Sequence, residues 1–252
     1  MPAILLTNDD GYGTPGLRAL QVALEPLGDV TVVAPDRERS SASHALTLHR
    51  PLRMRKQASR QFTVDGTPTD CIYLGVVHPH DRKPDLIVSG INRGLNVGDD
   101  ITYSGTVAAA FEGALLGVPS FAVSRDVGQG EDYSAAAELA AEIARQVLSG
   151  GLPRDTILNL NVPATPPRGI RVTRQGKRIY TQSVDERRDP RGGTYYWIGG
   201  QPTSTTSGPD SDLAAVLEGF AALTPLKLDL TDDRTLELIS LWPLLADARA
   251  SG

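Results

Sequence analysis

Short apolar runs alternate with longer segments of helical period along the first two thirds of the chain. These runs and segments are residues 3–7, 16–27, 30–34, 67–77, 85–89, 105–116, 120–124, 134–148 and 156–162. The short runs have few polar positions, which is typical of strands buried on both faces. Strands that alternate with helices predict a mostly parallel sheet with helices on both of its faces. We therefore expect an α/β fold.

Two parts of the chain depart from this rhythm. Residues 46–64 contain several β-formers but no helical period, and we interpret them as an antiparallel excursion from the sheet. After Pro163 the composition changes, and residues 164–169 have the Pro and Gly content of a linker. The sequence thus divides into a first domain of residues 1–165 and a C-terminal segment of residues 166–252.

The C-terminal segment begins with a predicted long β-hairpin. Residues 171–200 are polar and rich in tyrosine, and turn residues interrupt them at 189–193. An isolated two-stranded arm is marginal in water, so we expect this hairpin to pack on another subunit. The alternative is a hairpin that folds back on its own domain. A helix at 213–223, a strand at 226–230 and a short helix at 234–241 are expected to return to the first domain.

The composition is that of a globular protein, with 40% hydrophobic and 22% charged residues in 252. The net charge of −5 argues against binding of polymeric nucleic acid, because phosphate-backbone affinity depends on clustered Lys and Arg. Small anionic substrates remain compatible, since one local cation inverts the field of a site. Cys71 is the single cysteine, which excludes an intrachain disulfide and a thiolate zinc cluster. Because we find no basic leader and no apolar run of about eighteen residues, we expect a cytoplasmic protein without membrane contact.

The stretch after the first predicted strand reads Asn8-Asp9-Asp10-Gly11-Tyr12-Gly13-Thr14-Pro15-Gly16. Its last six residues match G-x-G-x-x-G, which favours a dinucleotide pyrophosphate at a helix N-terminus. Two carboxylates about 4 Å apart, however, repel by roughly 4 kcal/mol at an effective dielectric of about 20. A buried pair must therefore share a proton or hold a cation, and a pyrophosphate would add to the repulsion. We disfavour a nicotinamide-dependent oxidoreductase for this reason, while a solvated turn at Asp9 and Asp10 remains an alternative.

Two further loops are expected at the same carboxyl edge of the sheet, where open α/β folds bind their ligands. The loop after the second strand contains Ser40 among three serines. Their hydroxyls suit a cation or a phosphate, although a Ser-rich stretch is usually only a loop. The loop after the strand at 85–89 contains Gly90, which lets a ligand approach the backbone, and Asn92 and Asn96, which offer amide groups.

The helix predicted at 105–116 begins with Ser104, Gly105 and Thr106. Unpaired N–H groups at a helix start attract anions, so these residues form a candidate phosphate site. The alternative is plain N-capping. Thr14 is likewise expected to cap the helix that follows the first loop.

Two other features have weaker links to chemistry. Thr67 and Asp70 are spaced as a variant capping box around Pro68, with Cys71 as a small core residue. This interpretation disfavours a reactive thiol, which would need a nearby base. Among the four histidines, none has metal-ligand spacing, and His44 is considered as a proton donor.

Five motifs, taken in order, resemble the SurE family of metal-dependent nucleotidases. They are NDDG at 8–11, APDRERS at 34–40, GTPTDC at 66–71, SGINRGLNVGDD at 89–100 and YSGTVAAAFEG at 103–113. The later sequences TRQGKRIY and TYYWIGG resemble the extended hairpin of that family. The resemblance implies a Rossmann-like three-layer sandwich as the catalytic first domain, with a C-terminal hairpin used in oligomerisation. It also implies homodimers, often paired into tetramers, that exchange C-terminal elements.

The resemblance further implies hydrolysis of nucleoside 5′-monophosphates, and in some members of 3′-monophosphates. One divalent cation per subunit, Mg²⁺ or Mn²⁺, is then held by Asp9, Asp10, Ser40 and Asn92, with the two aspartates as the catalytic residues. The implied phosphate contacts are Asn96 and the turn of Ser104, Gly105 and Thr106. We expect the loop amide of Gly90 to bind a further phosphate oxygen. An all-oxygen ligand set of this kind suits a hard metal. A non-catalytic nucleotide-binding protein that uses the same loops is the alternative from another class.

Overall fold

The computed structural model describes residues 1–78, 82–128, 130–177, 179–180, 183–199, 202–204 and 208–242. Its strands are β1 (Ala3–Thr7), β2 (Asp29–Pro35), β3 (Met54–Ala58), β4 (Gln61–Val64), β5 (Leu86–Arg93), β6 (Ser120–Arg125), β7 (Thr156–Val162), β8 (Ile170–Val172), β9 (Ile179–Tyr180), β10 (Ser183–Arg188), β11 (Thr194–Gly199), β12 (Pro202–Ser204) and β13 (Ala221–Lys227). Its helices are α1 (Pro15–Leu24), α2 (Pro68–Val77), α3 (Gly105–Leu115), α4 (Ser134–Gly150), α5 (Asp212–Leu217) and α6 (Asp233–Ser240). Two 3₁₀ helices, Glu25–Leu27 and Gly98–Thr102, follow α1 and precede α3.

Nine of the described strands form one sheet in the order β3-β4-β2-β1-β5-β6-β7-β13-β8. Neighbouring strands from β4 to β7 are all parallel. β3 pairs antiparallel with β4, and β13 pairs antiparallel with β7. The predicted mostly parallel sheet is therefore confirmed, and the antiparallel excursion expected within residues 46–64 is the β3–β4 hairpin.

Helices cover both faces of the sheet, which gives the expected three layers. Leu6 of β1 packs with Leu20 of α1 and with α4 on one face. Leu5 packs with Cys71 of α2 and with α3 on the other face. Successive side chains of a strand point to opposite faces, so the continuous apolar run of β1 supplies both cores. In the described part of the chain, no helix has the combined length and apolar character needed to cross a bilayer.

The order of the strands reverses at β1, because β2 lies on one side of it and β5 on the other. In doubly wound sheets this reversal opens a crevice at the carboxyl ends of the two central strands. β1 ends just before Asp9 and Asp10, and β5 ends at Asn92 and Arg93. The fold therefore brings the paired acids and the Asn92 loop to the same edge.

The return elements near the C-terminus differ from expectation in their bounds. The predicted helix at 213–223 is wrong in its last part, because β13 already begins at Ala221. The predicted strand at 226–230 is accordingly placed too late in the sequence, because β13 ends at Lys227. Gly219 has φ +81°, a left-handed conformation that ends helices and favours glycine. The short helix expected at 234–241 is confirmed as α6.

β10 and β11 form the predicted antiparallel hairpin around the turn at 189–193. The prediction of a hairpin over 171–200 starts too early, because Arg171 lies in β8, which pairs in parallel with β13 in the main sheet. Residues 178, 181–182 and 200 of that prediction lie outside the described residues. The division of the chain after residue 165 remains a prediction.

Candidate active site

The first loop turns sharply after β1. Gly11 has φ +101°, and a side chain there would meet the Arg37 backbone at 2.9 Å, so the turn requires glycine. Asn8 donates from Nδ2 to the Gly11 carbonyl at 3.0 Å and to Thr14 Oγ1 at 2.9 Å. Thr14 is the N-cap residue of α1, as predicted, but its side chain makes no capping hydrogen bond. Its hydroxyl instead donates to the Gly11 carbonyl at 3.1 Å and fastens the loop that presents the two acids.

Asp9 is buried, with 5% of its surface exposed, and it faces the first turn of α3. Thr106 donates from Oγ1 to Oδ1 of Asp9, and a Cβ at Gly105 would lie 3.1 Å from the Cβ of Asp9. Burial raises the pKa of Asp9 to about 6; the Thr106 hydroxyl lowers this pKa, whereas the charge of Asp10 raises it further. A solvated turn is thus excluded for Asp9, and the pair has the electrostatics expected of acids that need a proton or a cation.

Asp10 is partly buried on the cavity side of the same loop. The backbone N–H of Arg93 donates to its Oδ2 at 3.1 Å. Burial raises the pKa of Asp10, the Arg93 N–H lowers it, and the nearby charge of Glu38 raises it. Glu38 is therefore a further acid at the site, and it was not predicted from the sequence although it lies in the same loop as Ser40.

β5 is irregular where it reaches the site. Its pairing with β6 shifts between Ser89 and Asn92, as happens at bulges that re-aim a side chain. Gly90 lies in this irregular part with φ +142°, and a Cβ there would meet the Val123 carbonyl oxygen at 2.4 Å. Asn92 donates from Nδ2 to the Gly94 carbonyl at 2.9 Å. The amide is thus anchored by its nitrogen, which makes Oδ1 the atom available as a ligand.

Ser40 lies on an exposed loop that is fastened to the other side of the cavity. Its hydroxyl donates to Glu38 Oε1 at 2.6 Å. Further along the loop, Ser43 donates from its backbone to the Tyr103 carbonyl at 3.2 Å and from Oγ to the Thr102 carbonyl at 2.8 Å. The loop therefore closes the space between β1 and the start of α3.

A polar cavity of about 680 Å³ opens at this edge of the sheet. Its lining includes the predicted residues Asp9, Asp10, Ser40, Asn92, Asn96 and Ser104, together with Glu38, Ser41, Arg93, Asp100, Tyr103 and Val127. Gly105 adjoins Asp9 and Thr106 bonds to it, whereas Gly90 is packed inside the sheet against Val123. The structure thus gathers most of the predicted site, and a substrate contact at Gly90 remains a prediction.

Two asparagines of β7 hold the backbone of Asn96. Oδ1 of Asn161 accepts the backbone N–H of Asn96 at 2.8 Å. The Nδ2 groups of Asn159 and Asn161 donate to the Asn96 carbonyl at 2.8 and 2.9 Å. Nδ2 of Asn96 itself donates to Ser124 Oγ at 2.8 Å. This network was not predicted from the sequence, where its local signal is a pair of asparagines two residues apart in an otherwise apolar strand.

The helix starts near the cavity follow the predicted capping. Ser104 Oγ accepts the Val107 N–H at 3.1 Å, and Thr67 and Asp70 form the expected reciprocal capping box. Cys71 is buried, and this burial raises its pKa far above the ordinary value. The structural interpretation of Cys71 is confirmed, because a thiol in this state is a poor nucleophile.

His44 faces a different part of the molecule. Its Nε2 lies 2.9 Å from Oε2 of Glu112, a buried residue of α3. Together with Phe111 and Leu226, His44 lines a separate, more apolar cavity. This placement does not support His44 as a proton donor beside the paired acids.

The oxygen atoms of the cavity suit a hard divalent cation. Among the described residues, no cluster of three or more His, Cys, Asp or Glu side chains is placed to hold a metal, so any ion must combine the two aspartates with neutral oxygens. Carboxylate, amide and hydroxyl oxygens are ligands that Mg²⁺ and Mn²⁺ accept. Asn8, which precedes Asp9 in the sequence, also has a buried Oδ1 without a hydrogen-bond partner among the described residues. A cation fits here because it would relieve this concentration of negative potential.

Comparisons with known proteins agree with the resemblance carried by the motifs. The family model described as Survival protein SurE matches residues 4–182. The 5′-nucleotidase SurE of Geobacter sulfurreducens is 52% identical over 247 residues, which cover 96% of this chain and 94% of that protein. The 5′-nucleotidase SurE of Methylococcus capsulatus is 47% identical over 242 residues, with coverage of 95% and 96%.

The crystal structure of the SurE protein from Aquifex aeolicus matches with a TM-score of 0.85 and 46% identity. The matched region covers 95% of this chain and 98% of the Aquifex aeolicus chain. The region matched by the family model contains every residue that lines the cavity beside the paired acids. Similarity therefore extends over nearly the whole chain as well as the site. The chain belongs to the SurE family.

Proposed function

We propose that this protein is a metal-dependent 5′-nucleotidase, which hydrolyses nucleoside 5′-monophosphates to a nucleoside and inorganic phosphate. The observation that carries the proposal is the pair Asp9 and Asp10 in a polar cavity at the carboxyl edge of β1, facing the start of α3. The relatives named 5′-nucleotidase SurE support the same activity. The proposal extends to nucleoside 3′-monophosphates, since these present the same phosphomonoester.

Asp9, Asp10, Ser40 and Asn92 are proposed to hold one divalent cation, Mg²⁺ or Mn²⁺. When bound, such an ion neutralises charge on a phosphomonoester and activates water. The chain fixes its acids in advance, because Thr106 donates to Asp9 and the Arg93 N–H donates to Asp10. Acids held in this way need little reorganisation during the reaction.

The phosphate is proposed to lie between Asn96 and the turn of Ser104, Gly105 and Thr106. N–H groups in the first turn of α3 favour an anion through their orientation and through the helix dipole. The amide of Asn96 is held in one orientation by its bond to Ser124, which suits a group that must meet a phosphate oxygen. Beyond the phosphate, Tyr103 lines the cavity and supplies aromatic surface for the nucleoside.

Release of phosphate from AMP tests this function. With Mn²⁺ present, the protein should release phosphate from AMP and GMP. EDTA should lower the rate by at least about 10²-fold, and excess Mn²⁺ should restore it. Activity that survives chelation would contradict the metal. Nucleotide binding without hydrolysis under any divalent cation would instead indicate a non-catalytic binding protein.

We propose that the protein assembles as a homodimer or tetramer and that its C-terminal elements are exchanged between subunits. The strands β10 and β11 are exposed throughout in the single chain, and Tyr196, Trp197 and Ile198 stand out as large apolar side chains there. Helix α6 is exposed as well. An exposed apolar arm of this size is stabilised when a second copy covers it. The reducing cytoplasm, where we place the protein, suits its unpaired Cys71.

The substitution Ile198→Asp should dissociate the assembly without unfolding the chain. Ile198 is 92% exposed in the single chain, so a carboxylate there meets water in the monomer but would be buried in an interface. Sedimentation velocity should detect a smaller species, with a melting transition of the chain that changes little. Val22→Asp is the matched control, because Val22 is also exposed but lies on α1, away from the arm. An assembly that survives Ile198→Asp would place the subunit contact elsewhere.

A further inference from the structure

Two segments of the chain meet at one buried carboxylate. They are residues 94–98, which we call the Asn96 loop, and residues 174–177, which precede β9 and which we call the arm root. This carboxylate is Asp212, the first residue of α5, which is 1% exposed. Its Oδ2 accepts the backbone N–H of Gly98 at 2.8 Å, across 114 residues of sequence. Its Oδ1 accepts the backbone N–H of Gly176 at 3.0 Å, across 36 residues. A single side chain therefore ties the arm root to a loop of the candidate active site.

Asp212 is satisfied by backbone donors of three segments. Besides Gly98 and Gly176, the N–H of Leu213 donates to Oδ1 at 2.8 Å. A buried carboxylate is tolerated only when donors surround it, and bonds to an ionised acceptor are stronger than neutral ones. Removal of this acceptor would leave N–H groups buried without a partner. The segments would then have to separate or admit water.

Hydrogen bonds from the arm root and from β7 also hold the Asn96 loop. The arm root adds a second bond, from Gln175 Nε2 to the Gly98 carbonyl at 3.1 Å. On the opposite side, Asn159 and Asn161 of β7 hold the backbone of Asn96. The position of Asn96 thus depends on β7 at one end of the loop and on Asp212 with the arm root at the other.

We propose that Asp212 is a positioning residue for phosphate binding, which acts by holding the Asn96 loop against the arm root. This inference rests on the proposed function, because Asn96 is placed there at the phosphate. Asp212 does not line the cavity beside the acids, so it acts through Gly98 and Asn96. It also lies on α5, away from the strands that carry the proposed metal ligands.

The substitution Asp212→Asn tests the proposal, because it should change the constants for phosphate binding but not those for turnover or metal binding. Asparagine keeps the size of the side chain but turns an NH₂ group toward one of the N–H donors. We expect KM for AMP and the inhibition constant of inorganic phosphate to rise about ten-fold. The kcat should stay within about three-fold and Mn²⁺ affinity should be unchanged, since the acids are not displaced. A general loss of structure would instead weaken metal and phosphate binding together.

Asp210→Asn is the matched control, because it makes the same chemical change two residues earlier. Asp210 forms an exposed ion pair with Arg174 at 3.3 Å, and exposed pairs contribute little. It should leave every constant unchanged. If Asp212→Asn does not fold, Gln175→Ala removes a bond to the same loop from an exposed residue and should raise the phosphate constant about three-fold.

Hydrogen exchange provides a readout that needs neither metal nor turnover. The amides of Gly98 and Gly176 should both exchange faster in Asp212→Asn than in the wild type or Asp210→Asn. Unchanged exchange at Gly98, or an unchanged phosphate constant in an active Asp212→Asn enzyme, would overturn the inference. A wild-type protein that releases no phosphate from AMP would overturn the proposed function, and the exchange experiment would still decide whether Asp212 holds the loop.

Discussion

Replacement of Asp9 with asparagine is expected to abolish phosphate release from AMP and to stabilise the metal-free protein at the same time. Asparagine keeps the shape of the side chain, and its Oδ1 can still accept from Thr106, but the charge that attracts a cation is gone. We expect kcat/KM to fall by at least about 10³-fold at saturating Mn²⁺. Calorimetry should detect a matching loss of Mn²⁺ uptake.

The stability change has a defined dependence on pH. Burial raises the pKa of Asp9 to about 6 in the folded, metal-free protein, from 3.8. At pH values below the unfolded pKa, both states carry the proton and the raised pKa costs no stability. Between about pH 4 and pH 6 the unfolded chain releases this proton while the folded protein keeps it, so stability falls by about 3 kcal/mol in total and stays at that lower level above pH 6. Asp9→Asn removes this penalty, so the variant should be more stable than the metal-free wild type at pH 8 and equal to it near pH 4.

Urea unfolding in EDTA at both pH values measures this difference. Asp99→Asn is the matched control, because Asp99 belongs to another Asp-Asp pair but is exposed and does not line the cavity. It should change neither activity nor stability beyond about 0.5 kcal/mol. An Asp9→Asn protein with full activity would remove Asp9 from the proposed role, and a stability difference that persists at pH 4 would assign it to packing.

The position of the paired acids could be predicted because it depends on strand order alone. Once β1 and β5 are assigned as neighbouring parallel strands, their carboxyl ends bring Asp9 and Asn92 to one edge, whatever the side chains do there. The helix start at Ser104 could be predicted for a similar reason, because capping is decided within four residues. These are features that local sequence or topology controls.

The supporting contacts could not be predicted, because each joins residues far apart in sequence. Asp212 is one acid in a Ser- and Asp-rich turn, and nothing local indicates that its oxygens accept from Gly98 and Gly176. The helix predicted at 213–223 is too long for the same reason, namely that a contact between distant parts of the sequence decides the structure there. Its apolar spacing continues past Gly219, but pairing of β13 with β7 gives those residues more stabilisation than a further helical turn would.

Replacement of Thr106 with valine is expected to lower activity by an amount that depends on pH. Valine matches the shape of threonine, and Thr106 is fully buried, so the change removes one hydroxyl and little else. That hydroxyl donates to Asp9 and lowers the pKa of the carboxyl against the effect of burial. Without it, the pKa of Asp9 rises above about 6, and a proton competes more strongly with the cation for Asp9.

The activity of Thr106→Val should therefore fall up to about ten-fold at pH 6 with limiting Mn²⁺, and most of it should return at pH 8. Thr69→Val is the matched control, since Thr69 is equally buried but its hydroxyl has no hydrogen-bond partner in the part of the chain that the structure describes. Removal of an unpartnered hydroxyl should leave activity unchanged and stabilise the fold by about 1 kcal/mol. The decisive measurement is the acidic limb of the rate–pH profile. A Thr106→Val limb that coincides with that of the wild type would show that this hydroxyl does not govern the ionisation of Asp9.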